Sequence, residues 1–270
     1  MMNDSIEKLE EIFTKYITVE SISEKLETRS GKEEAMTVKN FMDNKGYDVV
    51  GINDSKSGLI NGYIERSNLK TGKCEKYRKD FQVKEIVSND TPLADVLSVL
   101  KDRNRVFVLS KNSVSRIVTR ADLQKQPIRL FIFGFISLFE MHLLELIRER
   151  FPNDTWKNKL KDDRLEKARK IYNHRKRKNE EIDLVSCLQL CDKRDILASK
   201  EGIIGKLGFK SKNEWNKQLK NIEAMRNNLA HSQDLKEALD PVKITELVDK
   251  IKKIIEKCQE IEKPQKQKLK

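Results

Sequence analysis

An internal repeat in the first half of the chain constrains the fold more than any other sequence feature. A helical pattern over residues 5–42 is followed by two short β-type runs, residues 48–52 and 59–64, with a polar turn between them. The order recurs as an extended run, a helix, two β-type runs and the start of a helix, over residues 81–87, 91–101, 105–109, 113–118 and 119–125. The second copy follows the first by roughly 54 residues, as a duplicated supersecondary unit would. The repeat predicts an α+β domain over residues 1–125.

The second half of the chain differs, because every segment from residue 126 onward is typical of helices. Residues 127–151 are apolar on more than one face, but only about ten consecutive residues are free of charge, against about 20 needed to span a bilayer. They are predicted to form a buried core helix, covered by its own bundle and by the second subunit of a homodimer. The predicted fold class is an α+β N-terminal domain followed by an all-α helical bundle over residues 126–262, with residues 263–270 as a disordered basic tail.

The excess of positive charge lies in this second half and indicates a polyanionic partner. Residues 126–270 carry 33 basic and 23 acidic side chains, whereas residues 1–125 carry 22 and 20. Such a surplus attracts nucleic acid largely without regard to its sequence, although a solvated lysine-rich surface gives the same count. The four cysteines have no partner at metal-ligand spacing, so the sequence predicts no metal site and a reducing, cytoplasmic compartment. No apolar signal segment is recognised, and no membrane association is expected.

The junction between the last predicted strand and the following helix is a candidate nucleotide site. Thr119 could cap this helix, whose free N–H groups and dipole favour an anion. Asp122, at the third position after it, could accept hydrogen bonds from ribose hydroxyls. The alternative is that the pair forms only a capping box, because Thr-x-x-Asp is nearly the same pattern.

Residues 115–123 (Ser-Arg-Ile-Val-Thr-Arg-Ala-Asp-Leu) also carry a family resemblance. They resemble the strand and Thr-x-x-Asp-Leu segment of tandem cystathionine-β-synthase (CBS) domains, with Arg116 in place of a glycine. The resemblance implies a CBS pair that binds an adenine nucleotide such as AMP, ADP or ATP as a regulatory ligand, with Thr119 and Asp122 holding phosphate and ribose.

The first copy of the repeat matches this pattern less well. Residues 62–69 retain the glycine and place Asn68 where the Asp belongs, but they have Glu65 at the Thr position. Because a carboxylate is a poor neighbour for a phosphate, one functional site or a degenerate pair is expected rather than two.

A second candidate site lies on the helix predicted to follow a capping box at residues 211–214. Arg226 falls within the apolar stripe of that helix, which consists of Trp215, Leu219, Ile222, Met225 and Leu229. An arginine on a buried face needs a carboxylate or a phosphate, and Glu140 in the apolar core helix is the candidate carboxylate and a candidate site residue. Asn227 and His231 point together on the other side of the helix.

Arg226, Asn227 and His231, in a basic all-helical domain, resemble the Arg-x4-His motif of the HEPN superfamily. Members of that family are helical bundles that dimerise so that two motifs face each other. Many are metal-independent endoribonucleases of toxin–antitoxin, abortive-infection and CRISPR-linked systems. The resemblance implies a homodimer, an RNA substrate such as tRNA, no catalytic cofactor, and an antitoxin protein as a candidate partner.

Cleavage of RNA without a metal needs three functions that these residue types can supply. The 2′-OH must be deprotonated, the phosphorane stabilised and the leaving 5′-oxygen protonated. His231 could serve in either proton transfer, Arg226 could donate to the non-bridging oxygens, and Asn227 could orient the imidazole or the phosphate. The alternative for His231 is a partly buried histidine that caps the helix end.

The combined prediction is a cytoplasmic homodimer in which an adenine nucleotide, bound by the N-terminal CBS pair, regulates a C-terminal HEPN ribonuclease. The short junction at residues 125–127 is expected to pass motion from one domain to the other. The alternative is a non-catalytic regulatory module that binds nucleotide or RNA.

Overall fold

A computed structural model describes residue 8 and residues 11–53, 58–230 and 241–266. The chain divides by its internal contacts between Ile128 and Arg129, whereas the predicted boundary follows Lys125. The described residues from 14 to 128 form one unit, called the α+β unit below. The described residues from 129 onward, together with those before residue 14, form the other, called the helical unit.

The α+β unit contains the repeat as two β-α-β-β copies, preceded by the short strand β1 (Glu24–Lys25). The first copy consists of β2 (Thr28–Ser30), α1 (Ala35–Lys45), β3 (Val49–Asn53) and β4 (Ile60–Glu65). The second consists of β5 (Ile86–Ser88), α2 (Leu93–Lys101), β6 (Arg105–Ser110) and β7 (Ser113–Thr119). The duplication predicted from the sequence is therefore confirmed.

The two copies also share their strand pairing. In each copy the first strand pairs with the second in parallel, and the second pairs with the third in antiparallel. Each antiparallel pair has a register shift, at Ile52/Asn53 in one copy and at Val108/Leu109 in the other. The strand orders are β2-β3-β4 and β1-β7-β6-β5, because β1 adds to the sheet of the second copy.

The continuous helical pattern predicted for residues 5–42 is wrong in its central part, where β1 and β2 lie. The backbone of this segment pairs with other strands: the N–H of Leu26 donates to the carbonyl of Ser115 at 2.9 Å, and the carbonyl of Glu27 accepts from Gly51 at 2.8 Å. Val19, Ile22 and Leu26 are buried at a spacing that mimics a helix. In the described part of this range, the helical segments longer than three residues are α1 and the π-helix Ile12–Tyr16.

The core of the α+β unit joins α1 to β3 and β4. Val38, Met42, Val50, Ile52 and Ile64 are each at most 1% exposed and lie in one hydrophobic cluster. Another cluster includes the rings of Tyr63 and Phe107, whose centroids are 4.7 Å apart. The predicted helix at residues 119–125 is a short 3-10 helix, Arg120–Gln124.

The described part of the helical unit consists of helices and loops. Its α-helices are α3 (Gln126–Arg150), α4 (Asp162–Lys176), α5 (Leu190–Ala198), α6 (Ile203–Lys206), α7 (Lys212–Ala230) and α8 (Pro241–Lys266). The 3-10 helices Pro152–Lys159 and Leu184–Cys187 lie between them. Since α8 continues to Lys266, residues 263–266 are helical rather than part of the predicted disordered tail, and residues 267–270 lie outside the described residues.

The longest apolar helix of the described residues is α3. By length and composition it could cross a membrane, and 61% of its most apolar window is buried inside the protein. Phe131, Phe135, Phe139 and Leu143 are each at most 1% exposed, whereas Leu130 and Phe133 are 64% and 40% exposed. The apolar surface of α3 is thus mostly buried, with one exposed apolar edge.

Candidate functional site

A cleft in the helical unit brings together three of the predicted site residues. It has a volume of about 960 Å³. The side chains of Glu140, Arg226 and Asn227 line it, together with Phe133, Ser137, Met141, Leu144, Arg175, Ser186 and Lys193. The cleft is therefore built from α3, α4, α5 and α7, with Ser186 contributed by a 3-10 helix.

Helix α7 positions Arg226 because its apolar stripe fixes the rotation of the helix. The hydroxyl of Ser211 accepts a hydrogen bond from the Glu214 N–H at 3.1 Å, as an N-terminal cap does. Trp215, Leu219 and Ile222 are each at most 1% exposed. Arg226 lies at the edge of this buried stripe, so its side chain is 27% exposed and its head group faces the cleft.

The carboxylate of Glu140 bridges two cations. Arg226 donates from a terminal nitrogen (Nη1) to Glu140 Oε1 at 2.8 Å, and the Nζ of Lys193 donates to Oε2 at 3.0 Å. The side chain of Lys193 is 7% exposed and that of Glu140 is 16% exposed. The pairing of Glu140 with Arg226, predicted from burial alone, is present in the structure.

Lys193 was not identified from the sequence, although a signal for it exists. Leu190, Ile196 and Leu197 on α5 are buried, and Lys193 lies three positions from both Leu190 and Ile196. Residues three apart share a helix face, so Lys193 is a cation on a buried face. The reasoning that selected Arg226 on α7 would have selected Lys193 on α5.

Asn227 contacts Arg226 rather than any other predicted site residue among those described. Its Oδ1 accepts from Arg226 Nε at 3.4 Å and from Nη2 at 3.3 Å, which are long hydrogen bonds. The predicted catalytic residue His231 lies in the segment 231–240, outside the described residues. Its role stays a prediction.

No cluster of three or more His, Cys, Asp or Glu side chains suited to a metal ion occurs in the part of the chain that the structure describes. Cys74, Cys187 and Cys258 are buried, and Cys191 is half-buried. Burial raises the pKa of the Cys74, Cys187 and Cys191 thiols above the ordinary value.

A second cleft, in the α+β unit, contains the predicted nucleotide-binding pair. It has a volume of about 530 Å³ and is lined by Thr119 and Asp122. The charged side chains around them are Glu24, Lys25, Glu27, Asp48, Arg105, Arg120 and Lys125. Thr119 and Asp122 therefore lie in a cavity of the size class that holds small ligands.

Within that cleft, Asp122 is fully engaged by its own neighbours. Its Oδ2 accepts from the Thr119 N–H at 2.6 Å and from the Thr119 hydroxyl at 2.9 Å. Its Oδ1 lies 2.7 Å from Lys125 Nζ, which also contacts Glu24 and the carbonyl of Ile22. Burial lowers the pKa of Lys125, but its hydrogen bonds with Asp122 and Glu24 outweigh burial and raise it. The capping box that the sequence left as an alternative is formed.

The helix dipole stabilises an anion at Thr119 less than the sequence predicted. Thr119 precedes the 3-10 helix Arg120–Gln124, which has only 5 residues. A macrodipole needs several aligned turns, so an anion at Thr119 gains little from it. The basic side chains Lys25, Arg105, Arg120 and Lys125 are the remaining source of positive potential among the described residues of this cleft.

The structure does not bring Asn68 to the cleft that Thr119 and Asp122 line. Asn68 ends a 3-10 helix, and its amide donates to Glu65 Oε2 at 2.9 Å. Glu65 forms ion pairs with Lys79 and Arg105. Burial raises the pKa of Glu65, but the hydrogen bonds from Lys79 and Arg105 prevail and hold it below the ordinary value. The first copy thus places a persistent carboxylate at the position of Thr119.

Arg105 is a cleft residue that the sequence analysis missed. Its guanidinium pairs with Glu65 and lies 5.3 Å from the centroid of the Tyr63 ring. Glu65 and Arg105 are 40 positions apart in the chain, so no local pattern signals the pair. Arg105 lines the cleft from β6 while neutralising the carboxylate that the first copy introduces.

The comparisons with known proteins give solved structures only: no family model matches this chain, and no curated protein matches it. A CBS-pair protein from Arabidopsis thaliana is 13% identical, covers 42% of this chain and 96% of its own, and has a TM-score of 0.35. A CBS domain-containing protein of unknown function from Bacillus anthracis is 14% identical, covers 40% and 91%, and has a TM-score of 0.34. The AMP complex of CBSX2 is 13% identical, covers 42% and 98%, and has a TM-score of 0.36. The similar solved structures thus include CBS-domain proteins.

Proposed function

We propose that the helical unit is a metal-independent endoribonuclease of the HEPN type. One observation carries the proposal: Arg226 and Lys193 share the single carboxylate of Glu140 in an open cleft of a strongly basic half of the chain. Cations that converge in a cleft stabilise the charge that develops on a phosphodiester during cleavage. Arg226 would donate to the non-bridging oxygens, Asn227 would orient the imidazole or the phosphate, and His231 would transfer a proton.

The α+β unit is proposed to be a CBS pair that binds an adenine nucleotide as a regulatory ligand. The cleft lined by Thr119, Asp122 and Lys125 supports this assignment, because it offers a threonine hydroxyl, a carboxylate and an ammonium together. Ribose hydroxyls would donate to Asp122, and phosphate would face Thr119 and Lys125. The nucleotide regulates cleavage only if it binds one state of the protein more tightly than the other.

The proposed active form is a homodimer that uses the exposed edge of α3. Leu130 and Phe133 are large apolar side chains that the unit itself leaves 64% and 40% exposed. Phe133 also lines the cleft that contains Arg226. A second copy seated on this edge would cover apolar surface and bring two Arg226 clefts towards each other.

RNA cleavage in EDTA tests the enzymatic proposal. Purified protein is incubated with tRNA and with total RNA, with and without AMP, ADP or ATP, beside Arg226→Ala and His231→Ala. Cleavage that persists in EDTA and disappears in both variants supports the ribonuclease. Arg169→Ala is the matched control, because Arg169 is an exposed arginine of α4 that does not line the cleft.

The second candidate function is a non-catalytic module that binds nucleotide or RNA. It is favoured by the ion pair itself, since Glu140 satisfies Arg226 without a ligand. Retention of RNA without cleavage, in the same experiment, would support this module and refute the ribonuclease.

Thermal shift with adenine nucleotides tests the sensor. Asp122→Ala removes the cap of Thr119 and the partner of Lys125 together, so it destabilises the unit even without ligand. Asp122→Asn is sharper, because an amide oxygen can still accept from the Thr119 N–H. We expect AMP, ADP or ATP to stabilise the wild type and to stabilise Asp122→Asn much less. Equal stabilisation of both proteins would exclude Asp122 from the nucleotide site.

A further inference from the structure

We propose that Lys193 is a second phosphate-binding residue of the cleft in the helical unit and contacts the same RNA phosphate as Arg226. The inference rests on the proposed ribonuclease, since it adds a substrate contact to that site. It goes beyond the sequence motif, which contains no lysine.

The burial of Lys193 is the first argument. Its side chain is 7% exposed and lines the cleft, and among the described residues its Nζ donates to one oxygen, Glu140 Oε2 at 3.0 Å. An ammonium has three donors, and desolvated donors without acceptors are costly. Two donors of Lys193 thus have no acceptor within the described part of the chain, and they are available to a group that enters the cleft.

The charge balance of the cleft is the second argument. Lys193 and Arg226 share the one negative charge of Glu140, whereas the charge of Arg175 is balanced by Glu180 at 2.6 Å. Glu140 is the one acidic side chain among the lining residues that the structure describes. The cleft is therefore short of negative charge, and a phosphodiester supplies one charge with several acceptor oxygens.

The spacing of the two cations is the third argument. Arg226 Nη1 and Lys193 Nζ lie 2.8 and 3.0 Å from the two oxygens of one carboxylate. They are thus at most about 8 Å apart, a span that one phosphate covers with two charge-assisted hydrogen bonds of about 2.8 Å each. The long contacts of Arg226 Nε and Nη2 with Asn227 leave the guanidinium free to turn towards that phosphate.

Removing Lys193 alone would leave Glu140 Oε2 without its cation and Arg226 as the one remaining partner of the carboxylate, so the test is made in a Glu140→Gln background. The probe is a fluorescent 2′-O-methyl oligoribonucleotide, which binds but lacks the nucleophile for cleavage. Its affinity is measured over a range of salt concentrations for Glu140→Gln, Glu140→Gln/Lys193→Met and Glu140→Gln/Lys193→Arg. Glu140→Gln/Arg169→Met is the control for loss of an exposed charge on the same unit.

The Lys193→Met double variant should bind at least about tenfold more weakly, the effect of losing a hydrogen bond to a charged group. The slope of log affinity against log salt should fall by about 0.7, as expected for one phosphate contact on a single strand. Lys193→Arg should keep most of the affinity and the full slope, and the Arg169 control should keep most of the affinity. Equal affinity and equal salt slope for Glu140→Gln and Glu140→Gln/Lys193→Met would overturn the proposal.

Glu140→Gln by itself supplies a second measurement, which decides the matter if the double variant does not fold. Freeing two cations from their carboxylate should tighten binding of the oligonucleotide several-fold relative to the wild type. Unchanged or weaker binding, with Glu140→Gln folded, would contradict a phosphate site at Lys193.

The binding assay needs no cleavage of the oligonucleotide, so it tests Lys193 separately from the ribonuclease activity. Protein that loses affinity with Lys193→Met but never cleaves RNA would support the inference and refute the ribonuclease.

Discussion

Replacing Glu140 by leucine tests whether the carboxylate in the cleft is a desolvated partner of two cations. The substitution keeps a similar volume and removes the acceptor for Arg226 Nη1 and Lys193 Nζ. Breaking a buried ion pair by removing one partner costs about 3–5 kcal/mol, because the other charge is left uncompensated. Lys193 is 7% exposed and suffers this loss in full, whereas Arg226, at 27%, can turn partly to water. We therefore expect a loss near the lower end, about 3 kcal/mol.

Tryptophan fluorescence during urea unfolding measures this loss of stability for the helical unit alone. The chain has 2 tryptophans, and both Trp156 and Trp215 are buried in the helical unit that contains Glu140. Their emission therefore reports on the helical unit without a contribution from the α+β unit. The free energy of unfolding is compared at equal slope against urea, so that a change in cooperativity is not mistaken for a change in stability.

Glu166→Leu is the matched control, since Glu166 pairs with Arg169 at 4.0 Å and both side chains are more than half exposed. Exposed pairs contribute about 0–1 kcal/mol, so this variant should unfold almost as the wild type does. A loss below about 1 kcal/mol in Glu140→Leu as well would refute the reasoning, because Glu140 would then behave as a solvated surface carboxylate.

Three further predictions concern other parts of the molecule. Glu65 has a folded-state pKa below its ordinary value of 4.5, so its stabilising contribution is complete above that pH and is lost as the pH falls through the folded pKa. Hydrogen exchange of β4 should therefore depend less on pH below 4.5 in Glu65→Gln. Arg116→Gly removes hydrogen bonds to the Ser23 hydroxyl and carbonyl, at 2.7 and 2.6 Å, and calorimetry should show a loss of about 1.5–3 kcal/mol in the α+β unit. Phe133→Glu places a charge on the exposed edge of α3, so if the proposed dimer uses this edge, light scattering should show a dimer for the wild type and a monomer for the variant.

The fold was predictable where apolar patterns are long and failed where strands are short. The hairpins β3–β4 and β6–β7 have apolar runs separated by polar turns, and both were expected. By contrast, β1 and β2 have 2 and 3 residues, too few for a period of two to be recognised. Their strand conformation comes from backbone pairing with β7 and β3, which are distant in sequence. Local propensity does not contain that information.

Site residues could be predicted from the sequence where a charged side chain falls on a face that the apolar pattern predicts to be buried. A cation on an apolar helix face requires an anionic partner, and this reasoning found Glu140 for Arg226 across 86 positions of the chain. Symmetry between the repeats was a weaker guide, since it selected Asn68, which the fold does not place in the cleft of Thr119. The first copy differs from the second at this position, because Glu65 forms ion pairs with Lys79 and Arg105.

The two clefts should differ in how their ligands respond to salt, because their charges are balanced differently. The described residues that line the cleft around Asp122 include four acidic and four basic side chains, and Asp122 already accepts from Thr119 and Lys125. An anionic nucleotide entering it must exchange existing partners, so its affinity should change little with ionic strength. In the described part of its lining, the cleft around Glu140 has one acidic side chain and three basic ones, Arg175, Lys193 and Arg226, of which Arg175 is paired with Glu180. RNA entering it adds missing negative charge and releases counterions, and each phosphate contact should contribute a slope of about −0.7 to log affinity against log salt.

Titrations of AMP and of a 2′-O-methyl oligonucleotide between low and high salt would therefore separate the two sites in the intact protein. Equally steep slopes for both ligands would contradict this assignment of charge.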